Sequence, residues 1–99
     1  MVMSTKMLHK QWRKDFRNGV FSRDNNFCKA CGKSVQDAHH ITDRHEMPNG
    51  GYVLSNGISL CGDCHIKAET NQVGYSTKDL YILIKSSYEK AFVDSNNLK

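Results

Sequence analysis

Leu8, Trp12, Phe16 and Val20 recur at every fourth position, an apolar stripe that predicts a helix over residues 4–23. Asn18-Gly19 marks a point where that helix should end or kink. Asp24-Asn25-Asn26 predicts a loop, and residues 36–41 a short strand. Residues 42–51 are polar and contain Pro48-Asn49-Gly50-Gly51, a loop signature. Two apolar runs, Tyr52-Val53-Leu54 and Ile58-Ser59-Leu60, are compatible with a second strand interrupted at Ser55-Asn56-Gly57. Residues 62–71 read as a short helix. Ser76, with Asp79 three residues on, offers a near capping box for a final amphipathic helix over residues 77–92. That helix would carry Leu80, Leu83, Ile84, Ser87, Tyr88 and Ala91 on one side. The tail from Asp94 to Lys99 is polar and reads as frayed. The order is small α+β: a central strand, loop, strand and helix, flanked by N- and C-terminal helices.

The chain has 99 residues, which fits one domain over its whole length. A domain this short buries a modest core and commonly relies on a metal or disulfides. Its four cysteines form two Cys-X-X-Cys pairs, Cys28/Cys31 and Cys61/Cys64. The first residues show no apolar stretch of signal-peptide length, and no run approaches the roughly 20 apolar residues that span a bilayer. The expected setting is therefore cytoplasmic, where thiols stay reduced and paired cysteines read as metal ligands. Equal two-residue gaps let all four thiolates close one tetrahedral zinc site, which has no open position and should be structural. Two unrelated buried pairs, or a thiol-disulfide enzyme, are the competing readings.

The formal charge is +4, modest by itself. Lys6, Lys10, Arg13 and Arg17 recur at helical spacing and form one basic stripe. Alone, such a stripe reads as a solvated helix face. Four thiolates with one Zn²⁺ add a net −2, so the zinc-loaded chain would carry about +2, and a second divalent ion would restore about +4.

Between the cysteine pairs lies His39-His40, and His65 directly follows Cys64. Adjacent strand residues point to opposite faces, so His39 and His40 cannot easily bind one ion. A division of labour follows, with one as metal ligand and the other for acid-base work. The zinc knuckle at Cys61–Cys64 would fix the start of the helix carrying His65 and aim its imidazole.

His40, Asn56 sixteen residues on and His65 nine further on, framed by the Cys-X-X-Cys pairs, resemble the His-Asn-His (HNH) endonucleases of the ββα-metal fold. The resemblance covers about residues 12 to 70 and includes Trp12, Arg23-Asp24, His39-His40-Ile41, Gly50-Gly51-Tyr52, Asn56-Gly57-Ile58 and Leu60-Cys61. The small size resembles stand-alone phage or prophage members. The resemblance implies a ββα-metal core stapled by the four cysteines over residues 27–71. It puts His39 as a metal ligand, His40 as the general base, Asn56 as the residue that orients the loop and base, and His65 as a second metal ligand. Some members carry a further metal-ligating His four residues beyond; here that position is Glu69, which could complete the metal shell or be a solvated helix residue.

The implied activity is hydrolysis of DNA phosphodiesters with one catalytic divalent ion. A neutral imidazole, with an unperturbed pKa of about 6.5, accepts a proton near pH 7. One divalent ion stabilises the developing charge. Imidazole and oxygen ligation is compatible with Mg²⁺, Mn²⁺, Ni²⁺ or Zn²⁺. Arg44 could clamp a phosphate or serve only the local fold. Arg23 could support the knuckle or touch the nucleic-acid backbone. The basic stripe would contact phosphates without reading sequence. Trp12 and Phe16 read as core, and Tyr81 and Tyr88 as core or surface. The partner expected is DNA and no membrane; a homodimer or a phage or host protein is the further partner class. The alternative is a non-catalytic zinc-ribbon module that binds nucleic acid or protein. It accounts for the cysteines and the basic helix but leaves His39-His40, Asn56 and His65 unexplained.

Overall fold

The computed structural model describes residues 5–98, with side chains described from residue 8 onward. Ser4 therefore lies outside the described residues, and so does the side chain of Lys6. Helix α1 (Thr5–Arg23) is followed by strand β1 (Asp37–His40), tight turns at Pro48–Gly51 and Leu54–Asn56, strand β2 (Gly57–Leu60) and helix α2 (Gly62–Glu69). Helices α3 (Thr77–Leu83) and α4 (Tyr88–Asn96) complete the chain. This is the expected small α+β fold. Among the described residues, no helix is long and apolar enough to cross a membrane.

The two strands pair antiparallel, with Asp37 opposite Leu60, Ala38 opposite Ser59, His39 opposite Ile58 and His40 opposite Gly57. All four residues of β2 are buried, because α1 covers one face of the hairpin and α2 the other. Alternation of side chains across a strand then sorts β1. Asp37 and His39 face α2, while His40 packs on α1. Gly57 makes the second contact close: a Cβ there would lie 2.6 Å from the Phe16 ring and 2.5 Å from Val20. The helix can therefore sit tight against the hairpin beside His40.

Helix α1 does not break at Asn18-Gly19. The missing side chain of Gly19 instead lets Leu54 lie against the helix, where a Cβ would come within 2.9 Å of it. Trp12, Phe16 and Val20 are buried as expected, and Leu8 is half-buried. The helix ends through Asn25 and Asn26, both left-handed, with Asn26 N–H bonded to Phe21 C=O and Asn25 N–H to Ser22 C=O. That pair of bonds is a Schellman motif, and Asn is among the few residues that tolerate the left-handed position.

Arg23 is a staple of the fold. Its guanidinium grips the Asp24 carboxylate through two 2.8 Å bonds and donates to the carbonyls of Leu54 (2.8 Å) and Gly57 (2.7 Å). Asp24 in turn accepts from Ser59 N–H at 3.0 Å. Burial raises the Asp24 pKa, but the bonds from Arg23 and Ser59 outweigh it, so the carboxyl sits below its ordinary range.

Three other expectations change. Tyr52-Val53-Leu54 is not strand: residues 54–56 form a tight turn and only Gly57–Leu60 pairs. The single helix expected over residues 77–92 is two helices. Ser76 closes a full capping box with Asp79 at the start of α3. Lys85 then turns left-handed (φ 55°), with Lys85 N–H on Ile82 C=O and Ser86 N–H on Tyr81 C=O, another Schellman motif. Ser87 caps α4 by accepting from Lys90 N–H. The break rotates the apolar face: Leu80, Tyr81, Ala91 and Ser95 are buried, while Leu83 and Tyr88 are exposed. Nor is the tail free from Asp94. Asp94 accepts from Ser55 Oγ at 2.6 Å, Ser95 is buried, and Asn49 Nδ2 donates to Ser95 C=O at 2.9 Å.

Candidate active site and metal centre

Cys28 and Cys31 flank a tight turn closed by Cys28 N–H to Lys33 C=O and Gly32 N–H to Cys28 C=O. Cys61 caps α2, its sulfur accepting from Cys64 N–H. The four Sγ atoms lie within 4.8 Å of one another, and Cys31 and Cys61 are 3.5 Å apart. Zinc–thiolate bonds of about 2.3 Å in a tetrahedron space the sulfurs about 3.8 Å apart, so this cage fits zinc. Cys28, Cys61 and Cys64 are buried and Cys31 is exposed. Burial and then the neighbouring thiols push the Cys64 pKa up to about 12, whereas at Cys28 burial is outweighed by backbone hydrogen bonds, which lower it to about 7. Tyr75 supports the cage, its hydroxyl 3.3 Å from Cys64 Sγ. Among the described residues, no other set of three or more His, Cys, Asp or Glu ligand atoms is gathered as closely.

On the α2 side of the hairpin, a groove of about 450 Å³ is lined by His39, His40, Arg44, His65 and Glu69. The His39 and His65 rings meet edge to face, with centroids 5.0 Å apart. Asp37 Oδ2 lies 3.0 Å from His65 Nδ1, and Glu69 Oε1 lies 3.2 Å from His65 Nε2. Asp37 shares its face of β1 with His39, two residues away, and so reaches the same helix. A carboxylate on one ring nitrogen fixes the orientation of a histidine whose other nitrogen ligates a metal. His65 Nε2, Glu69 and His39 line one groove, and Asp37 lies on the other ring nitrogen of His65. Burial, then the neighbouring His65, depresses the His39 pKa to about 4, which leaves it a neutral imidazole.

His40 occupies the other face. Its ring stacks on Phe16 at 4.4 Å and meets the Tyr52 ring edge-on at 5.0 Å. Nε2 is buried without a hydrogen-bond partner. Burial first, then His39 and Arg44, lowers the His40 pKa to about 4, away from the unperturbed value the sequence implied. A second groove beside this ring is lined by Arg13, Phe16, Arg17, His40, Arg44 and Tyr52. Arg44 lines both grooves, with its guanidinium 3.5 Å from Tyr52 Oη. Arg13 and Arg17 of the basic stripe thus reach the neighbourhood of His40; Lys10 is exposed on the same helix and lines neither groove. Arg23, engaged with Asp24 and two carbonyls, is held within the fold.

Asn56 is wholly buried and far from exposed groove atoms in its bonding. Oδ1 accepts from Thr42 N–H (3.0 Å) and from Tyr81 Oη–H (2.8 Å), and Nδ2 donates to the carbonyls of Thr42 (3.1 Å) and Gly51 (3.2 Å). Its amide has no bonding capacity left for a metal. It pins the chain that leaves His40, and Ile41 N–H bonds to its own carbonyl at 2.9 Å.

Two residues of this site carried no assignment in the sequence. Asp37 was visible as an i, i+2 partner of His39 on a strand, a signal that identifies its face but not its bond to His65. Tyr81 sits on a helix remote in sequence, and nothing local marks its contact with Asn56.

A two-stranded hairpin with histidines on opposite faces, followed by a helix bearing a third, is the ββα-metal arrangement, here closed by a four-cysteine cage. Residues 28–71, a little under half of the chain, match the family model described as HNH endonuclease. Trp12 and Arg23-Asp24, counted in the sequence resemblance, lie before the matched segment. No curated protein and no solved structure matches the chain.

Proposed function

We propose that the protein is a metal-dependent DNA endonuclease. The observation that carries the reading is the division of two histidines across one strand: His39 joins His65 and Glu69 in one groove, while His40 packs on α1 and lines both that groove and the arginine-lined one. His39, His65 and Glu69 would hold one divalent ion, and the four cysteines a structural zinc. When bound, the catalytic ion supplies stabilisation of negative charge on the phosphate and leaving oxygen. His40 takes the proton of the attacking water. The stacked Phe16 ring and the edge-on Tyr52 ring hold that imidazole in place, and Asn56 positions the backbone that follows it. Arg44, Arg13 and Arg17 draw phosphates to the site, with Lys10 extending the basic face along α1. An incoming phosphodiester brings negative charge beside His40 and so favours its proton-accepting role.

Incubation of supercoiled plasmid with zinc-loaded protein tests this. Nicked or linear product is expected with added Mn²⁺, Mg²⁺ or Ni²⁺ and none without. No cleavage under any ion would count against it.

One observation favours the second reading, a zinc-ribbon binding module: among the described residues, only the thiols are already gathered into a tight ligand set. Calorimetric titration of zinc-loaded protein with Mn²⁺ or Ni²⁺ separates the two. The nuclease binds one further ion per chain and loses it in His65→Ala; the module binds none.

A further inference from the structure

The C-terminal helices lie beyond the segment matched by the family, yet one of their side chains enters the core of the site. Tyr81 of α3 is buried, and its hydroxyl lies 2.8 Å from Asn56 Oδ1 and 2.7 Å from Thr42 Oγ1. A side-chain amide oxygen only accepts, so the tyrosyl proton points at Asn56, and the Thr42 hydroxyl donates to the Tyr81 oxygen. The result is a closed relay: Thr42 to Tyr81, Tyr81 to Asn56, and Asn56 back to both backbone groups of Thr42. Thr42 is two residues beyond His40, and the backbone ladder ends at Ile41. Past that point, the Asn56 amide alone stands in for a strand partner.

We propose that Tyr81 is a positioning residue for His40, acting through Asn56 and Thr42. Three features support it. The relay is enclosed, so water does not replace a lost partner. Without the Tyr81 hydroxyl, one of the two acceptor sites of Asn56 Oδ1 is left empty in a buried place. The same network also connects α3 to the start of the loop that carries Arg44, so base and phosphate contact are referred to one fixed point. Misplacement of a reacting group by about 1 Å can cost about a hundredfold in rate.

This inference rests on the nuclease reading, and the test keeps the two apart. Tyr81→Phe keeps the ring and removes only the hydroxyl. Cleavage by the zinc-loaded full chain is measured in Mn²⁺ at saturating DNA, with zinc content, DNA affinity and amide hydrogen exchange at Thr42. The expected result is a kcat lower by about tenfold or more, an unchanged KM and zinc content, and Thr42 exchange faster by a similar factor. Ser86→Ala is the control. It removes a different bond from the C-terminal region, Ser86 Oγ to Ser55 C=O at 2.8 Å, and should leave kcat within about twofold. An unchanged kcat in Tyr81→Phe, or an equal loss in Ser86→Ala, would overturn the positioning role. A fall in kcat without faster Thr42 exchange would overturn the route through Asn56. A wild-type protein inert with every ion would sink the nuclease reading itself, and Thr42 exchange would then decide the Tyr81 clamp alone.

Discussion

Asn56 is the residue at which chemistry and folding meet most closely. Four hydrogen bonds converge on one buried amide. Asn56→Ala would leave several buried polar groups unpaired at about 1–3 kcal/mol each. A loss of at least about 3 kcal/mol is expected from urea unfolding of the zinc-loaded protein; a loss under about 1 kcal/mol would show that the loop reorganises freely. The histidines and cysteines were legible in the sequence because their chemistry is rare and their spacing short. The bonding of Asn56 was not, since three of its four bonds reach residues at least fourteen positions away or a helix remote from it. Asp37 was half legible: strand alternation gives its face, but only the docking of α2 gives its bond to His65.

At the scale of elements, the same device ends three helices. Asn25, Asn71 and Lys85 are each left-handed, each followed by a bond from the next N–H to the carbonyl five residues back. Two of these sites hold Asn, which the sequence displays openly; the third holds Lys, which carries no such mark. That is why the break between α3 and α4 was hidden in an amphipathic run. A left-handed lysine costs about 1–2 kcal/mol relative to its right-handed form, so Lys85→Gly should stabilise the protein by about 0.5–1 kcal/mol, read as a higher urea midpoint. A lower midpoint would contradict the capping account.

The junction of α1 with β2 gives a second prediction at this scale. Asp24 has a folded pKa below its ordinary 3.8, so its contribution is fully present above that value and is lost as pH falls through the folded pKa. Asp24→Asn should therefore cost about 1–3 kcal/mol at neutral pH. The deficit should stay constant from about pH 8 to pH 5, since Asp24 remains ionised throughout in both states. A deficit that shrinks within that interval would show that Asp24 is not held as a carboxylate by Arg23.

For the whole molecule, the cysteine cage ties the loop before β1 to the start of α2, and so aims His65 at the groove shared with His39. With a small core built on Ile58, Leu60, Leu80 and Val20, the fold is expected to depend on that cage. Stripping the zinc, or Cys61→Ser, is expected to remove most helical circular dichroism, because metal binding and folding are one equilibrium in such sites. A native spectrum without zinc would show that the apolar core suffices. The role of the C-terminal half was the least legible part. Its helices brace both tight turns through Ser55, Asn49 and Asn56, and long-range contacts of this kind leave no local pattern to read.

The central claim is that His40, packed on α1 yet lining the groove that holds His39 and His65, is the base that activates water. Single-turnover cleavage of plasmid by zinc-loaded wild type and His40→Ala, with DNA affinity and zinc content measured on the same samples, addresses it directly. The account predicts a rate loss of at least about a hundredfold in His40→Ala, with one zinc retained and DNA still bound. Cleavage by His40→Ala at the wild-type rate would contradict it.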